Sequence, residues 1–572
     1  MKKNITMKKI HIEMPLKIRF LLFAFILTIF TINANNVRIT NVTCLNPGIA
    51  NSSLSFNLSW DNSWRVSGMA PNNYDAVWIF VKTQLVDPAA VNCETTNPWV
   101  HGDMHTAQDS FASGLPLEIK LVTDQKGIFI QRAYDGTGQI TATYVKIKLS
   151  NAAGNYNFKV FGIEMVYVPQ AAFVIGDNSS NRYIPAQWIS SENAILTSSI
   201  CTGTGGNYFF QYACNDQSIP AAYPKGYDAF YCMKYEISQN QWVEFLNTLT
   251  YDQQATRTSI LPNTVPGLSG ACAMQATCSN RNGVKLIQSG ISTTAPKTPA
   301  IYGCDLQTAP GDAFNSNLDG KNIAMNYLTW NDLLTYLDWS GLRPMSNFEY
   351  EKACRGPIGQ VAGEYAWGTT QITQAQSSLL TGTVGSATEV SQSRGYGLCA
   401  YGSALGANGP LRVGFAARDT TTRVTAGATY YGIMDMSGNV MEIVTGGQFA
   451  NRQGYTLQST IHGDGSLTAA GDYNSAGWGP AYYQGAWAAV GGRGECSLVW
   501  WNIEFRGGAW DRAASEARIS DRSYNNTSIC NSVYTVCWGW YNNQTYSGGY
   551  GAGTTTQTRL ANVGGRGVRS FP

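Results

Sequence analysis

Charge is scarce in this sequence. Only 13% of its 572 residues are Asp, Glu, Lys or Arg, and they balance to +2 at pH 7. That is about half the usual charged share, so no nucleic-acid surface and no acidic partner is expected. Histidine is nearly absent, at four residues, and no Ser-His-Asp set, phosphate loop or zinc-ligand spacing appears. Long apolar runs are also missing; the single sustained one, residues 20–32, is short for a membrane span. What abounds is Gly (59) and Tyr (31), with Asn, Ser and Thr throughout, a composition common in secreted β-rich proteins.

The short apolar run has a context. Lys2, Lys3, Lys8, Lys9, Lys17 and Arg19 precede it, and Asn33-Ala34 follows with a small residue for cleavage. This is the order of a secretory signal, so residues 1–34 are expected to direct export, to the medium, periplasm or cell surface. No Cys stands at the cleavage point to carry a lipid, and no later segment reads as transmembrane. All thirteen Cys follow the signal, where disulfides are the default. The odd count leaves at least one thiol unpaired or intermolecular. Cys272/Cys278 and Cys530/Cys537 are close enough to close small loops.

The length calls for two or three domains. Residues 36–160 alternate apolar and polar at 53–60, 76–82, 117–122 and 140–149, with turn-forming stretches at 61–65 and 151–155. This spacing predicts an antiparallel β-sandwich. Residues 158–168 form another candidate strand, and from about 164 the pattern changes. Ser238 and Gln241 make a capping box ahead of Trp242, Phe245, Leu246 and Leu249, one face of a helix. Thr329 with Asp332 opens a second helix that Gly341 can end, and Ser346 with Glu349 opens a third that stops at Gly356. Residues 177–225, 251–322, 369–428 and 450–503 lack periodicity and read as long loop insertions.

Two motifs stand out: Gly-Ile-Met-Asp-Met-Ser-Gly-Asn-Val-Met-Glu-Ile at 432–443, and Phe-Arg-Gly-Gly-Ala-Trp at 505–510. With Arg343, Glu349, Glu351, Ala353 and Arg355 in the third helical segment, Tyr-Ala-Trp-Gly at 365–368 and Gly-Arg-Gly-Val-Arg at 565–569, they resemble the formylglycine-generating enzyme (sulfatase-modifying factor) family in the family's own order. The resemblance covers about 164–572. It implies an irregular α+β, C-type-lectin-like domain, here preceded by the β-sandwich.

The resemblance also implies a chemistry, which the residues argue against. The family's enzymes bind copper through a Cys pair, because Cu(I) is soft and prefers thiolates. Here Arg512 stands at the first ligand position, Ala509 replaces a Ser and Met441 replaces a Trp, so copper is not expected unless Cys530 and Cys537 fold back. Cys354 reads as a core thiol or half of a disulfide. His101 and His105 flank a Gly-Asp-Met loop that reads as surface rather than metal site, and His462 stands in a Gly-rich loop where exposure is expected. Calcium fits better. Asp435, Gly438, Val440 and Glu442 match a structural calcium turn of the family, whose oxygen ligands suit a hard cation; the alternative is that Asp435 and Asn439 build turns while Glu442 pairs with an Arg. Arg343, Arg506, Arg518, Arg522 and Arg569 match family arginines and are expected to pair with Glu349, Glu351 and Asp521. Aromatics crowd two stretches, at Trp478, Tyr482, Tyr483, Trp487, Trp500 and Trp501, and at Trp538, Trp540, Tyr541, Tyr546 and Tyr550. They either pin loops to the frame or meet a protein or glycan partner. Three functions follow: a non-catalytic exported binding or structural protein, within a larger extracellular complex; a metal-dependent oxidase modifying a partner's side chain; or a calcium-dependent lectin-like glycan binder.

Overall fold

The computed structural model describes residues 37–572 apart from 87–94, 96, 180–184, 197–217, 268–269, 307–313, 317–318, 387, 403–407, 419, 447–456, 476, 480–481, 487–496, 502 and 523–558. The signal segment, Cys530, Cys537, Trp487 and the second aromatic cluster therefore lie outside the described residues. The fold is low in helix and high in strand. No described helix is long and apolar enough to cross a membrane.

The N-terminal region is built of antiparallel strands. The longer ones are β1 (Arg38–Cys44), β2 (Ser53–Arg65), β3 (Asp75–Leu85), β4 (Leu117–Leu121), β5 (Ile128–Arg132), β6 (Gly136–Lys148) and β7 (Tyr156–Val168). Every alternating segment read from the sequence falls inside one of them to within a residue. The turn expected at 61–65 is instead strand: β2 continues through it with irregular register against β6. Asn62, at φ +55°, absorbs the extra residue as a bulge.

Further along lie β8 (Phe230–Met233), β9 (Arg343–Pro344), β10 (Met441–Thr445), β11 (Ile503–Arg506), β12 (Val563–Gly564) and β13 (Gly567–Ser570). One sheet runs in the order β9-β13-β8-β7-β3-β5-β4. The boundary near 160–164 thus falls inside β7. That strand pairs with β3 from Asp75↔Val166 to Leu85↔Tyr156 on one edge, and with β8 from Phe230↔Val168 to Met233↔Met165 on the other.

Alternation along β3 explains why the two regions adhere. Val77, Ile79 and Val81 share a core with Leu54, Phe56 and Leu58 of β2 and Ile130 of β5. Ala76, Trp78 and Phe80 face the other way, into the core that holds Phe245, Leu337 and Trp339. A strand apolar on both faces must be covered twice.

The three expected helices form, each with a complete capping box: α1 (Gln239–Leu246), α3 (Trp330–Ser340) and α4 (Asn347–Arg355). Gly341 ends α3 in the left-handed region, at φ +72°. A further helix, α2 (Tyr251–Arg257), opens with Thr250 and Gln253 in the same box. It lies in the 251–322 insertion, which also carries a three-stranded antiparallel sheet of Ala271–Cys272, Val284–Gln288 and Ile301–Cys304. That insertion is a small folded unit, not a loop. Its two nearby Cys, Cys272 and Cys278, form a disulfide. Cys354 is a buried free thiol.

Candidate functional site

The motif at 432–443 is a tight turn feeding β10, and β10 is flanked by β11, antiparallel, and β12, parallel. Asp435 and Asn439 adopt φ of +59° and +69°, which Asp and Asn tolerate better than other side chains. Gly438 is required by space: a Cβ there would come within 2.4 Å of the Cys399 sulfur and 2.5 Å of the Ala400 carbonyl. Asn439 then ties the turn to its surroundings. Its side-chain oxygen accepts from Leu411 N–H at 2.8 Å, its amide donates to Glu236 Oε2 at 2.6 Å, and its carbonyl accepts from Trp510 N–H at 2.9 Å.

Three carboxylates meet beneath this turn, all buried: Glu236, Asp435 and Glu442. Glu236 Oε1 accepts from Val440 N–H at 3.0 Å, and Asp435 Oδ2 from Gly414 N–H at 2.5 Å. Glu442 Oε1 accepts from Arg566 Nε at 3.1 Å and Nη2 at 2.8 Å, while its Oε2 has no hydrogen-bond partner. Burial raises all three carboxyls, Glu442 to about 7 against the pull of Arg566; Asp435 and Glu442 push Glu236 further up. Glu236 and Arg566 were not singled out by the sequence. Glu236 sits with Lys234 in a largely apolar strand-to-helix stretch, the one signal that could have marked it.

Of the calcium set, Gly438 and Val440 lie on the turn and Asp435 and Glu442 point into one buried region. The donor chemistry is nevertheless not that of an oxygen cage. A guanidinium already holds Glu442, and N–H donors hold the other two carboxylates. Among the described residues no group of three or more His, Cys, Asp or Glu is placed to hold a metal. With Glu442 already ion-paired to Arg566, the set is not an oxygen-only cage for a divalent cation.

Behind the turn, Glu351 of α4 gathers the arginines. Its carboxylate accepts from Arg506 at 3.1 Å, Arg522 at 2.5 Å and Arg355 at 3.0 Å, and from Gly176 N–H at 2.8 Å. Burial alone would raise this carboxyl, but Arg522, Arg355 and Arg506 outweigh it and hold it well below the usual carboxylate range. Glu349 takes Arg343 through both oxygens, at 2.8 and 2.6 Å. Arg518 lies against Gly363. Arg569 departs from the expected partners: it reaches across the shared sheet to Asp124, at 2.6 and 2.5 Å.

The three positions that differ from the family's active site are now placed. Met441 and Ala509 are packed in the core, 1% and 0% exposed. Arg512 is partly exposed, 3.6 Å from Asp511. None offers a thiolate, so the described residues there do not fit copper. His101 and His105 do not converge on a site: His101 lies against Lys82 and the Lys126 carbonyl, and His105 accepts from Ala107 N–H. His462, expected to be exposed, has only 12% of its side chain accessible and accepts from Ser570 N–H at 3.1 Å, because its loop folds over β13. Trp478 is a loop pin, 1% exposed. Tyr482–Ala486 and Ser497–Trp501 pair as antiparallel strands.

A model of the sulfatase-modifying factor enzyme 1-like domain matches residues 190–533, more than half of the chain. No curated protein matches the chain.

Proposed function

The chain belongs to the family of sulfatase-modifying factor enzyme 1-like domains, and from that premise we propose that it is an exported, non-catalytic member, using a C-type-lectin-like frame to bind or scaffold. The observation that carries this reading is the packing at the motif centre. Met441 and Ala509 are buried side chains without a thiol, and Arg512 brings a fixed cation where a soft metal needs a thiolate. A protein or glycan partner in an extracellular assembly is proposed from the sequence, where aromatics crowd two glycine-rich stretches.

The test uses the full chain, loaded with copper or iron and then desalted. Metal content is measured, together with oxygen consumption on Cys-containing peptides. Substoichiometric metal and no turnover are expected. Stoichiometric metal with turnover would sink the proposal and restore the oxidase reading.

A further inference from the structure

We infer that Arg566 is the resident cation of the motif turn, so that this chain builds without calcium a turn of the kind that calcium holds together in its family. The inference stands apart from the question of catalysis, since it concerns only how the turn is held.

Its basis is the oxygen set around the guanidinium. Arg566 is 0% exposed. Besides the two bonds to Glu442 Oε1, Nη2 donates to the Met434 carbonyl at 3.0 Å, and Nη1 to the carbonyls of Met233 at 3.2 Å and Lys234 at 3.5 Å. A carboxylate with backbone carbonyls from a tight turn is what a hard divalent ion asks for. Here one such carboxylate, Glu442, and three backbone carbonyls, of which only that of Met434 lies in the turn, converge on a planar fork of N–H groups instead. The fork also joins three parts of the chain: Met233 and Lys234 at the end of β8, Met434 in the turn, and Glu442 in β10. A covalently attached cation does this permanently, with no dependence on the ion content outside. It also defends the place. A calcium ion seeking Glu442 would meet a buried positive charge on that carboxylate, and like charges repel strongly where water is excluded. Both oxygens of Glu236 are engaged, by Val440 N–H and the Asn439 amide, and Asp435 has one on Gly414 N–H.

The position is specific. Gly565 and Gly567 flank it, and a Cβ at either would come within 2.8 Å or 2.3 Å of a Leu333 or Leu337 methyl. The backbone is therefore pressed against α3, and Arg566 points the opposite way, into the carboxylates.

The experiment is calcium dependence of thermal unfolding on the full chain, in wild type, Arg566→Gln and Asp435→Asn. Wild type is expected to melt at the same temperature in chelator and in millimolar calcium. Arg566→Gln should melt several degrees lower in chelator and recover part of the loss with calcium. A calcium-induced rise in wild type that Asp435→Asn abolishes would overturn the inference, as would an Arg566→Gln protein indistinguishable from wild type in chelator. If Arg566→Gln does not fold, the wild-type comparison with Asp435→Asn still decides.

Discussion

Replacing Trp78 by Ala tests whether the N-terminal strands and the family domain are one cooperative body. Trp78 is fully buried on the inward face of β3. Its indole N–H donates to the Ser340 carbonyl at the end of α3, at 2.8 Å. Its ring lies 4.8 Å from Phe129, with the Arg569 guanidinium 4.4 Å above it. Truncation removes a large side chain from a close-packed site, for which about 3–5 kcal/mol is typical. The orphaned Ser340 carbonyl and the lost cation–π contact place this case toward the upper end. The assay is hydrogen exchange read peptide by peptide. At about 1.4 kcal/mol per factor of ten, protection should fall roughly a hundredfold to several thousandfold. The fall should appear together in peptides from β3, β5 and β7 and in those from α3 and β13. Trp78→Phe, which keeps most of the ring but not the N–H, should lose about 1–3 kcal/mol. If Trp78→Ala loosens only residues before β7 and leaves α3 and β13 at wild-type protection, the shared-core reasoning is wrong.

Other perturbations probe separate parts of the frame. Glu351→Gln removes the one charge that three buried arginines share, and should cost about 3–5 kcal/mol in denaturant unfolding. Lys82 is buried beneath Trp339, and burial lowers it to about 7, against Asp338 and Asp464. Between that value and the ordinary Lys range the unfolded chain binds the extra proton. Stability should therefore rise with pH there, by up to about 1.4 kcal/mol per unit, and Lys82→Met should flatten that slope. Reducing the Cys272–Cys278 disulfide should cost about 2 kcal/mol, because so short a loop loses little entropy when closed; unfolding with and without reductant measures it.

The helices were legible because a capping box is written within four residues: Ser238 with Gln241, Thr329 with Asp332, Ser346 with Glu349. Thr250 with Gln253 carries the same signature, and α2 was missed only because the insertion around it lacks periodicity. The strands were legible for a similar local reason, two-residue alternation. Their pairing was not. Nothing near β7 says that it will be gripped by β3 on one edge and by β8 on the other. At the site, Asp435 and Glu442 could be read from the motif, since a tight turn with carboxylates is a local pattern. Arg566 could not, because Arg569, three residues on, looks equivalent in sequence. The sheet sends one inward to Glu442 and the other to Asp124. Trp478 shows the same limit, since a tryptophan among glycines looks exposed until the frame it covers is known.

The position of β13 sets a schedule for folding. This strand, made of residues 567–570, lies between β9 and β8 rather than at an edge, and its Arg569 closes onto Asp124, far back in the chain. Pairings so distant in sequence form late. Until those residues are available, β8 and β9 remain unjoined edges, open to wrong partners. A chain delivered from its N-terminus would thus pair β3, β4, β5 and β7 early and complete the far side of the same sheet, β8 and β9, last. A truncation that removes only β13 should leave a protein that aggregates rather than one merely shortened.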